Sequence, residues 1–281
     1  MADKPILMDG AVGTSLWKIA EEAGVEKIPV WHYNLEHPEF VTRLCREYIE
    51  AGSQMILTNS FGANGKAVRR AGDYDVKEVL TASVRLAKEA AAGTDVKVIY
   101  AAGPLPMLME PWGDLTEEET AEIYEEHLSA GAEAGADAIY LQTFIDLGMM
   151  KVATRVAKQF GLPVYCNMTF EKVGKTMMGN SVQDVIDELT PFGIDAIGMN
   201  CSTGPDEALP IIREFAEKTD LPLMFKPNAG KPILAADGTT LTDYDAAAFV
   251  REVQPALPLV TYIGGCCGSD PSYIRALKEA L

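Results

Sequence analysis

Three cysteines follow two short apolar runs of this sequence and could share one metal ion. Cys201 lies in AIGMNCS (196–202), and Cys266 and Cys267 lie in VTYIGGCCG (260–268). Three thiolates suit a zinc ion, and three protein ligands leave one coordination position open. Adjacent cysteines reach the same ion only where the chain leaves the strand pleat, which the neighbouring glycines permit. We therefore predict a thiolate metal site with an open position; a disulfide between the adjacent cysteines is the less favoured alternative.

The two remaining cysteines are predicted to be small buried residues. An odd count of five cysteines does not resemble a disulfide framework. A closed structural metal site with Cys166 as fourth ligand is the alternative. However, Cys166 is the third residue of its apolar run, so it would lie roughly 10 Å below the strand end. We interpret Cys45 and Cys166 as core residues.

The predicted metal site favours sulfur chemistry over hydrolysis. Zinc bound by three thiolates has a net negative charge and activates water poorly, but it can bind a further thiolate and keep that sulfur nucleophilic. The matching electrophile is a methyl group on a cationic or metal-bound donor. A hydrolase would favour histidine or carboxylate ligands, and His32, His37 and His127 form no HExxH pair. We expect these histidines to be surface or packing residues.

Eight apolar runs recur at the spacing of βα units. They are residues 6–10, 55–60, 96–103, 138–144, 164–170, 196–202, 223–230 and 260–268. Amphipathic stretches at 116–134, 146–160 and 205–218 lie between them and predict helices. Near-continuous apolar strands alternating with helices indicate a parallel sheet covered on both faces. Eight units favour an α/β fold with a closed (β/α)8 TIM barrel; an open doubly wound sheet is the alternative.

The predicted strands end in polar, glycine or cysteine residues, which would line the mouth at the C-terminal ends of the barrel strands. Nothing resembling a linker divides the sequence, so we predict one domain over residues 1–281. The formal net charge of −17 disfavours nucleic acid or an anionic membrane as a partner. The sequence shows no signal-peptide core and no apolar run of membrane-spanning length, which predicts a cytoplasmic protein.

Several motifs together resemble the homocysteine S-methyltransferase family, and within it the homocysteine-binding barrels of cobalamin-dependent methionine synthases. The similar runs are MDGAVGTSL (8–16), TNSFGAN (58–64), GPLP (103–106), LQTF (141–144), NMTF (167–170), GMNCSTGP (198–205), KPNAGKP (226–232) and GGCCGSDPSYI (264–274). They span almost the whole chain. The resemblance implies methyl transfer to homocysteine, giving methionine, on a zinc ion in a (β/α)8 barrel.

The resemblance also implies roles for individual residues. Cys201, Cys266 and Cys267 correspond to the zinc ligands. The further residues expected to contact the thiol substrate or line the site are Asp9, Gly10, Ala11, Gln142, Thr143, Asn200, Lys226 and Asn228. Among these, Asp9, Gly10 and Ala11 correspond to the loop that holds the amino-acid end of the thiol.

Two positions depart from the family pattern. Gln142 stands where the family usually has the glutamate of ETF, and Lys226 stands where related synthases often have the glutamate of EPNAG. An ammonium group would lose its partner, whereas a carboxylate or sulfonate would gain one. We hypothesise that the substrate is an amine-free anionic thiol rather than homocysteine, or that homocysteine binds with weaker recognition of its amine. Neutral substitution, with Gln142 accepting the amine through its carbonyl and Lys226 facing away, is the equal alternative. Lys226 would also be the Schiff-base residue if the barrel were a lyase.

The methyl donor is predicted to be a corrinoid. The chain ends at Leu281, before the folate, cobalamin and activation modules of the synthases, so we expect methyl-cobalamin on a separate corrinoid protein. Small donors such as S-methylmethionine or a betaine are the alternative. The sequence has neither a GxGxG after the first strand nor a CxxxCxxC motif, which disfavours S-adenosylmethionine enzymes. A non-catalytic zinc or thiol carrier is a third possibility, disfavoured by three rather than four ligands.

Overall fold

Eight parallel strands form the centre of the molecule. The structure is a computed structural model that describes residues 4–171, 173–230, 232–234, 240–242 and 244–281. The central strands are β1 (Ile6–Leu7), β2 (Met55–Leu57), β3 (Lys97–Ala102), β4 (Ala138–Phe144), β5 (Val164–Met168), β6 (Ala196–Asn200), β7 (Leu223–Lys226) and β10 (Tyr262–Ile263). A separate antiparallel hairpin of β8 (Pro232–Leu234) and β9 (Thr240–Thr242) precedes β10.

The strand order closes the sheet into a barrel. Neighbouring strands pair in the order β1-β10-β7-β6-β5-β4-β3-β2, and every pairing in this sheet is parallel. A parallel bridge between Met8 and Met55 joins the two remaining edges. The predicted (β/α)8 barrel is confirmed, and each of the eight apolar runs contains one barrel strand. The prediction of a single domain over 1–281 stays a prediction.

Helices connect the strands and cover the outside of the barrel. They are α1 (Gly13–Glu22), α2 (Tyr33–Glu36), α3 (Pro38–Ala51), α4 (Gly65–Ala71), α5 (Val76–Ala91), α6 (Glu117–Glu133), α7 (Leu147–Ala157), α8 (Val182–Leu189), α9 (Pro205–Lys218), α10 (Ala246–Val253) and α11 (Pro271–Ala280). The helices predicted at 116–134, 146–160 and 205–218 correspond to α6, α7 and α9. No helix in the described ranges combines the length and apolar character needed to cross a membrane.

Side chains of successive strand residues alternate between the barrel interior and the helix layer. In β7, Met224 belongs to the interior cluster, whereas Leu223 and Phe225 belong to the cluster under the helices. The next residue, Lys226, therefore faces the interior at the C-terminal end of the barrel. Its side chain is almost fully buried. The alternation alone brings a charged side chain beneath the mouth.

Candidate active site

The three predicted cysteines converge at the C-terminal mouth of the barrel. The sulfur atoms of Cys201, Cys266 and Cys267 all lie within 4.8 Å of one another. Those of Cys201 and Cys267 are 3.7 Å apart. Cys267 is exposed and the other two are half-buried, so the cluster opens toward solvent. The strands that carry them, β6 and β10, are both hydrogen-bonded to β7.

The loop after β10 leaves the strand pleat and is fixed by backbone hydrogen bonds. The Gly265 amide donates to the Asp9 carbonyl at 3.1 Å, and the Cys266 amide donates to the Pro227 carbonyl at 2.8 Å. Close approach explains Gly264, since a Cβ there would lie 2.6 Å from the Asp9 carbonyl oxygen. Gly268 has φ +82°, a left-handed conformation that favours glycine. These constraints let two adjacent cysteines face one point.

Left-handed backbone at non-glycine residues is concentrated at this mouth. Within the described ranges, Thr143, Cys201 and Ser202 are the non-glycine residues with positive φ, at 63°, 63° and 55°. Such a conformation costs about 1–2 kcal/mol per residue. Hydrogen bonds hold it: the Cys201 amide donates to the Lys226 carbonyl at 3.1 Å, and Ser202 Oγ donates to the Phe170 carbonyl at 2.5 Å. Strain clustered in this way is typical of a functional site.

Asn200 links the end of β4 to the cysteines. Its Oδ1 accepts a hydrogen bond from the Thr143 amide at 2.8 Å, and its Nδ2 donates to Thr143 Oγ1 at 2.7 Å. Nδ2 also lies 3.7 Å from the sulfur of Cys266. β4 departs from regular register between Leu141 and Phe144, where Gln142 lies 8% exposed. The irregularity brings Thr143 within reach of Asn200.

Two residues expected to contact substrate, Asp9 and Lys226, pair with each other. Lys226 Nζ donates to Asp9 Oδ1 at 2.6 Å and to the Asp9 carbonyl at 2.8 Å. Both side chains are 1% exposed. The other carboxylate oxygen of Asp9 accepts the Leu57 amide at 2.7 Å. Burial raises the pKa of the Asp9 carboxyl, and the Lys226 ammonium opposes that rise.

Tyr48 on α3 contributes to the site although no motif indicated it. Its hydroxyl lies 2.8 Å from the Ala11 carbonyl and 3.1 Å from the Ser269 carbonyl, within hydrogen-bonding distance of each. The Ala11 amide also donates to the Ser269 carbonyl, at 2.9 Å. Gly10 must lack a side chain, because a Cβ there would lie 2.6 Å from the Ser269 carbonyl. The predicted substrate loop after β1 is thus packed against the cysteine loop.

Asn228 lies beside the cysteines on the loop after β7. Its amide donates to the Thr203 carbonyl at 3.1 Å, and the Thr203 amide donates to the Cys201 carbonyl at 2.8 Å. Within the described ranges, Asn228 Oδ1 and Thr203 Oγ1 are buried side-chain oxygens without a hydrogen-bond partner. A polar group of a ligand bound next to the cysteines would give these two oxygens a hydrogen-bond partner.

The thiols of the cluster differ in chemistry from the other cysteines. Hydrogen bonds from the thiols of Cys201 and Cys267 lower the pKa of Cys266, so a thiolate forms there first. By contrast, burial raises the pKa of Cys45 and of Cys166 to about 12. Both are buried, as predicted, and neither belongs to the cluster. The histidines also lie outside the three-sulfur cluster, as predicted.

The fold and these residues define a (β/α)8 barrel with a cluster of three cysteine sulfurs at the C-terminal mouth. A model of the homocysteine S-methyltransferase family matches residues 6–281. The chain belongs to this family, which also confirms the expected enzyme class, an S-methyltransferase. The lyase interpretation of Lys226 is not supported, since its ammonium is buried against Asp9.

Curated relatives agree with that assignment, and a solved structure has the same fold. The chain is 30% identical to the methionine synthases of Mycobacterium tuberculosis (strain ATCC 25618 / H37Rv) and Mycobacterium leprae (strain TN), over 311 and 309 residues. Each match covers 100% of this chain but only 25% and 24% of the relative, so the chain spans about a quarter of their length. The metallated homocysteine methyltransferase MmuM from Escherichia coli has a similar fold, with a TM-score of 0.80 at 23% identity, covering 99% of this chain and 97% of MmuM.

Proposed function

We propose that this protein transfers a methyl group to the sulfur of homocysteine, forming methionine, with zinc held by Cys201, Cys266 and Cys267. The observation that carries the proposal is the convergence of these three sulfurs within 4.8 Å at the barrel mouth. Family membership supplies the reaction class. Methionine synthase relatives and the metallated MmuM structure support the acceptor and the metal.

The cysteine geometry fits a zinc ion. Tetrahedral zinc with bonds of about 2.3 Å to sulfur requires sulfur–sulfur separations of about 3.8 Å. Cys201 and Cys267 are separated by 3.7 Å without any rearrangement. Three soft donors with one face open to solvent match a catalytic rather than a closed structural site.

The chain's own residues would orient both the ligands and the acceptor. A bound zinc would keep the acceptor thiol ionised at neutral pH, so that its sulfur is nucleophilic. Asn200 Nδ2 lies 3.7 Å from the Cys266 sulfur and can donate to it, limiting its freedom. The unpartnered oxygens of Asn228 and Thr203 are available to the polar end of an acceptor. Gln142 and Thr143 would border the acceptor on the β4 side.

For the methyl donor, we propose methyl-cobalamin on a separate corrinoid protein. The support is the similarity to methionine synthases. Small donors such as S-methylmethionine or a betaine are the alternative. We also propose that the enzyme acts in the cytoplasm, where a reducing environment keeps all five described cysteines free.

An amine-free anionic thiol remains the second candidate acceptor, and one observation favours it. Among the described residues, Asp9 and Asp146 are the acidic residues that are buried as a whole. Asp9 is bonded to Lys226 and Leu57, and Asp146 caps α7 through the amides of Gly148 and Met149. Neither carboxylate is left over to pair with the ammonium group of homocysteine.

Calorimetric titration of the zinc-loaded, reduced protein tests both acceptors. Homocysteine is compared with an amine-free thiol that carries a carboxylate or a sulfonate, in buffers of different ionisation enthalpy. Ionisation of the thiol on binding releases a proton, which the buffer dependence reveals. Homocysteine binding with proton release supports methionine formation. If only the amine-free thiol binds, with proton release, the zinc–thiolate chemistry stands and the acceptor is that thiol rather than homocysteine. Absence of proton release with either thiol contradicts the zinc–thiolate proposal.

The donor is tested separately by incubating the enzyme and its acceptor with methyl-cobalamin, S-methylmethionine or glycine betaine. Mass spectrometry then detects the methylated thiol. If methyl-cobalamin is the only one of the three compounds that methylates the thiol, the corrinoid donor is supported. If S-methylmethionine or glycine betaine methylates it, that small molecule is the donor and the corrinoid proposal is wrong.

A further inference from the structure

One carbonyl group connects Lys226 to the cysteine loop. The Asp9 carbonyl accepts Lys226 Nζ at 2.8 Å and also the Gly265 amide at 3.1 Å. Gly265 immediately precedes the cysteine pair at 266 and 267. The position of this loop therefore depends on where the Asp9 carbonyl is held.

The Asp9 carboxylate is fixed from two sides. Its Oδ1 accepts Lys226 Nζ at 2.6 Å and its Oδ2 accepts the Leu57 amide at 2.7 Å. β7, β1 and β2 thus meet at one buried aspartate. A side chain without the ammonium group would leave this carboxylate with an unpaired oxygen in the barrel interior, and an unpaired buried charge is strongly unfavourable.

The backbone next to Lys226 contacts both cysteine-bearing segments. The Lys226 carbonyl accepts the Cys201 amide at 3.1 Å, and the Pro227 carbonyl accepts the Cys266 amide at 2.8 Å. Through its side chain and its backbone, this part of β7 is bonded to the segments on either side of the cluster. The separation of the sulfurs is therefore tied to the place of Lys226.

We propose that Lys226 is a positioning residue that holds the Cys266–Cys267 pair at zinc-binding distance from Cys201 through the bonds of its side chain to Asp9. The inference rests on the proposed zinc site. It concerns position 226, where this chain has lysine and related synthases often have glutamate. A lysine here serves the metal site rather than an anionic substrate group, because its ammonium is buried and bonded to Asp9.

The test measures zinc affinity and folding stability separately in the full chain. Zinc dissociation constants come from competition with a chromophoric chelator, and unfolding of the zinc-free protein is followed in urea. The variants are K226M and D9N/K226M, which removes both charges together. K88M is the matched control. Lys88 donates a hydrogen bond to Asp137 at 2.7 Å, and Asp137 also accepts the amide of a strand residue, Val98. This lysine–aspartate pair is far from the cysteines in the sequence.

We expect K226M to raise the zinc dissociation constant at least about tenfold, as loss of a group that positions ligands does. D9N/K226M should regain urea resistance because no unpaired carboxylate remains, yet should keep the weaker zinc binding. K88M should keep the parent's zinc affinity. If K226M does not fold, the double variant alone decides.

A zinc dissociation constant of D9N/K226M equal to that of the parent would overturn the positioning role and leave a pair that only stabilises the fold. The parent protein itself separates this failure from that of the proposed function. If the parent binds no zinc, the metal site is wrong; if it binds zinc and the double variant binds equally well, only the inference is wrong.

Discussion

Asn200 and Thr143 exchange two hydrogen bonds across the mouth of the barrel, from the Thr143 amide to Asn200 Oδ1 at 2.8 Å and from Asn200 Nδ2 to Thr143 Oγ1 at 2.7 Å. Thr143 has φ +63°, so its backbone conformation needs such support. Because Asn200 Nδ2 also lies 3.7 Å from the Cys266 sulfur, one amide couples the end of β4 to the cysteine cluster.

Replacing Asn200 with alanine should therefore weaken both the fold and the metal site. N200A leaves the Thr143 amide without its acceptor and should lower the free energy of unfolding by about 1–3 kcal/mol. Zinc affinity should fall as well, because the Cys266 sulfur loses its donor. Urea unfolding and chelator competition measure the two effects. A stability loss at full zinc affinity would show that the contact with Cys266 has no role.

The cysteines themselves give the simplest test of the metal site. C201A, C266A and C267A should each lose zinc during dialysis against a chelator that leaves the parent loaded, because two thiolates do not complete the site. C166A is the control, because Cys166 is buried and does not belong to the cluster. Its sulfur lies 3.5 Å from Thr154 Oγ1, within hydrogen-bonding distance. It should retain zinc while losing about 1–2 kcal/mol of stability to the small cavity.

Retention of zinc by C201A, or its loss from C166A, would contradict the assignment of ligands. Colorimetric zinc analysis per mole of protein distinguishes these outcomes without an activity assay.

Local signals explain what the sequence revealed. Strands of the barrel were predicted because each is a short apolar run between helices, and the cysteines were predicted because soft ligands at strand ends are visible in the chain itself. The Asp9–Lys226 pair was missed because its members are 217 positions apart and each was assigned to the substrate. Inward alternation along β7 indicates the direction of Lys226, but not that Asp9 would be its partner.

Tyr48 illustrates a second limit. It lies on an amphipathic helix, where a tyrosine normally packs, and nothing local shows that its hydroxyl reaches the Ala11 and Ser269 carbonyls. Ser269, by contrast, follows the cysteine motif directly, and that position could have indicated its part in the loop. Residues that position ligands from a distance depend on the closed barrel and cannot be recognised before it is known.

His127 should make stability depend on pH. Burial lowers the pKa of His127 to about 4, and its Nε2 lies 3.1 Å from the Ser60 carbonyl. The unfolded chain takes up a proton below about pH 6.5, whereas the folded protein takes it up only near pH 4, so stability is lost as the pH falls through this window. Between pH 7 and pH 5 this histidine should account for a loss of about 2 kcal/mol.

H127Q removes the titrating group and keeps a donor for the Ser60 carbonyl. Urea unfolding at pH 7 and pH 5 should show a smaller difference for H127Q than for the parent. H37Q is the control, because His37 is partly exposed and its Nδ1 lies 3.2 Å from Glu39 Oε1 at the surface. Equal pH dependence in H127Q and the parent would mean that His127 takes up its proton equally in both states.

Glutamate at position 142 tests which thiol the site accepts. Gln142 is 8% exposed in the mouth. Of the described acidic residues that are buried as a whole, Asp9 is hydrogen-bonded to Lys226 and Asp146 to the Gly148 amide. Q142E would add an acidic group there, so homocysteine binding should tighten by about tenfold through its ammonium, equivalent to ~1.4 kcal/mol. An amine-free anionic thiol should bind more weakly, because two like charges would then meet.

Q159E makes the same charge change at an exposed position in the 3-10 helix Lys158–Phe160 and should alter neither affinity. An unchanged ratio of the two affinities in Q142E would place the acceptor's ammonium elsewhere, and Gln142 would then be a neutral substitution.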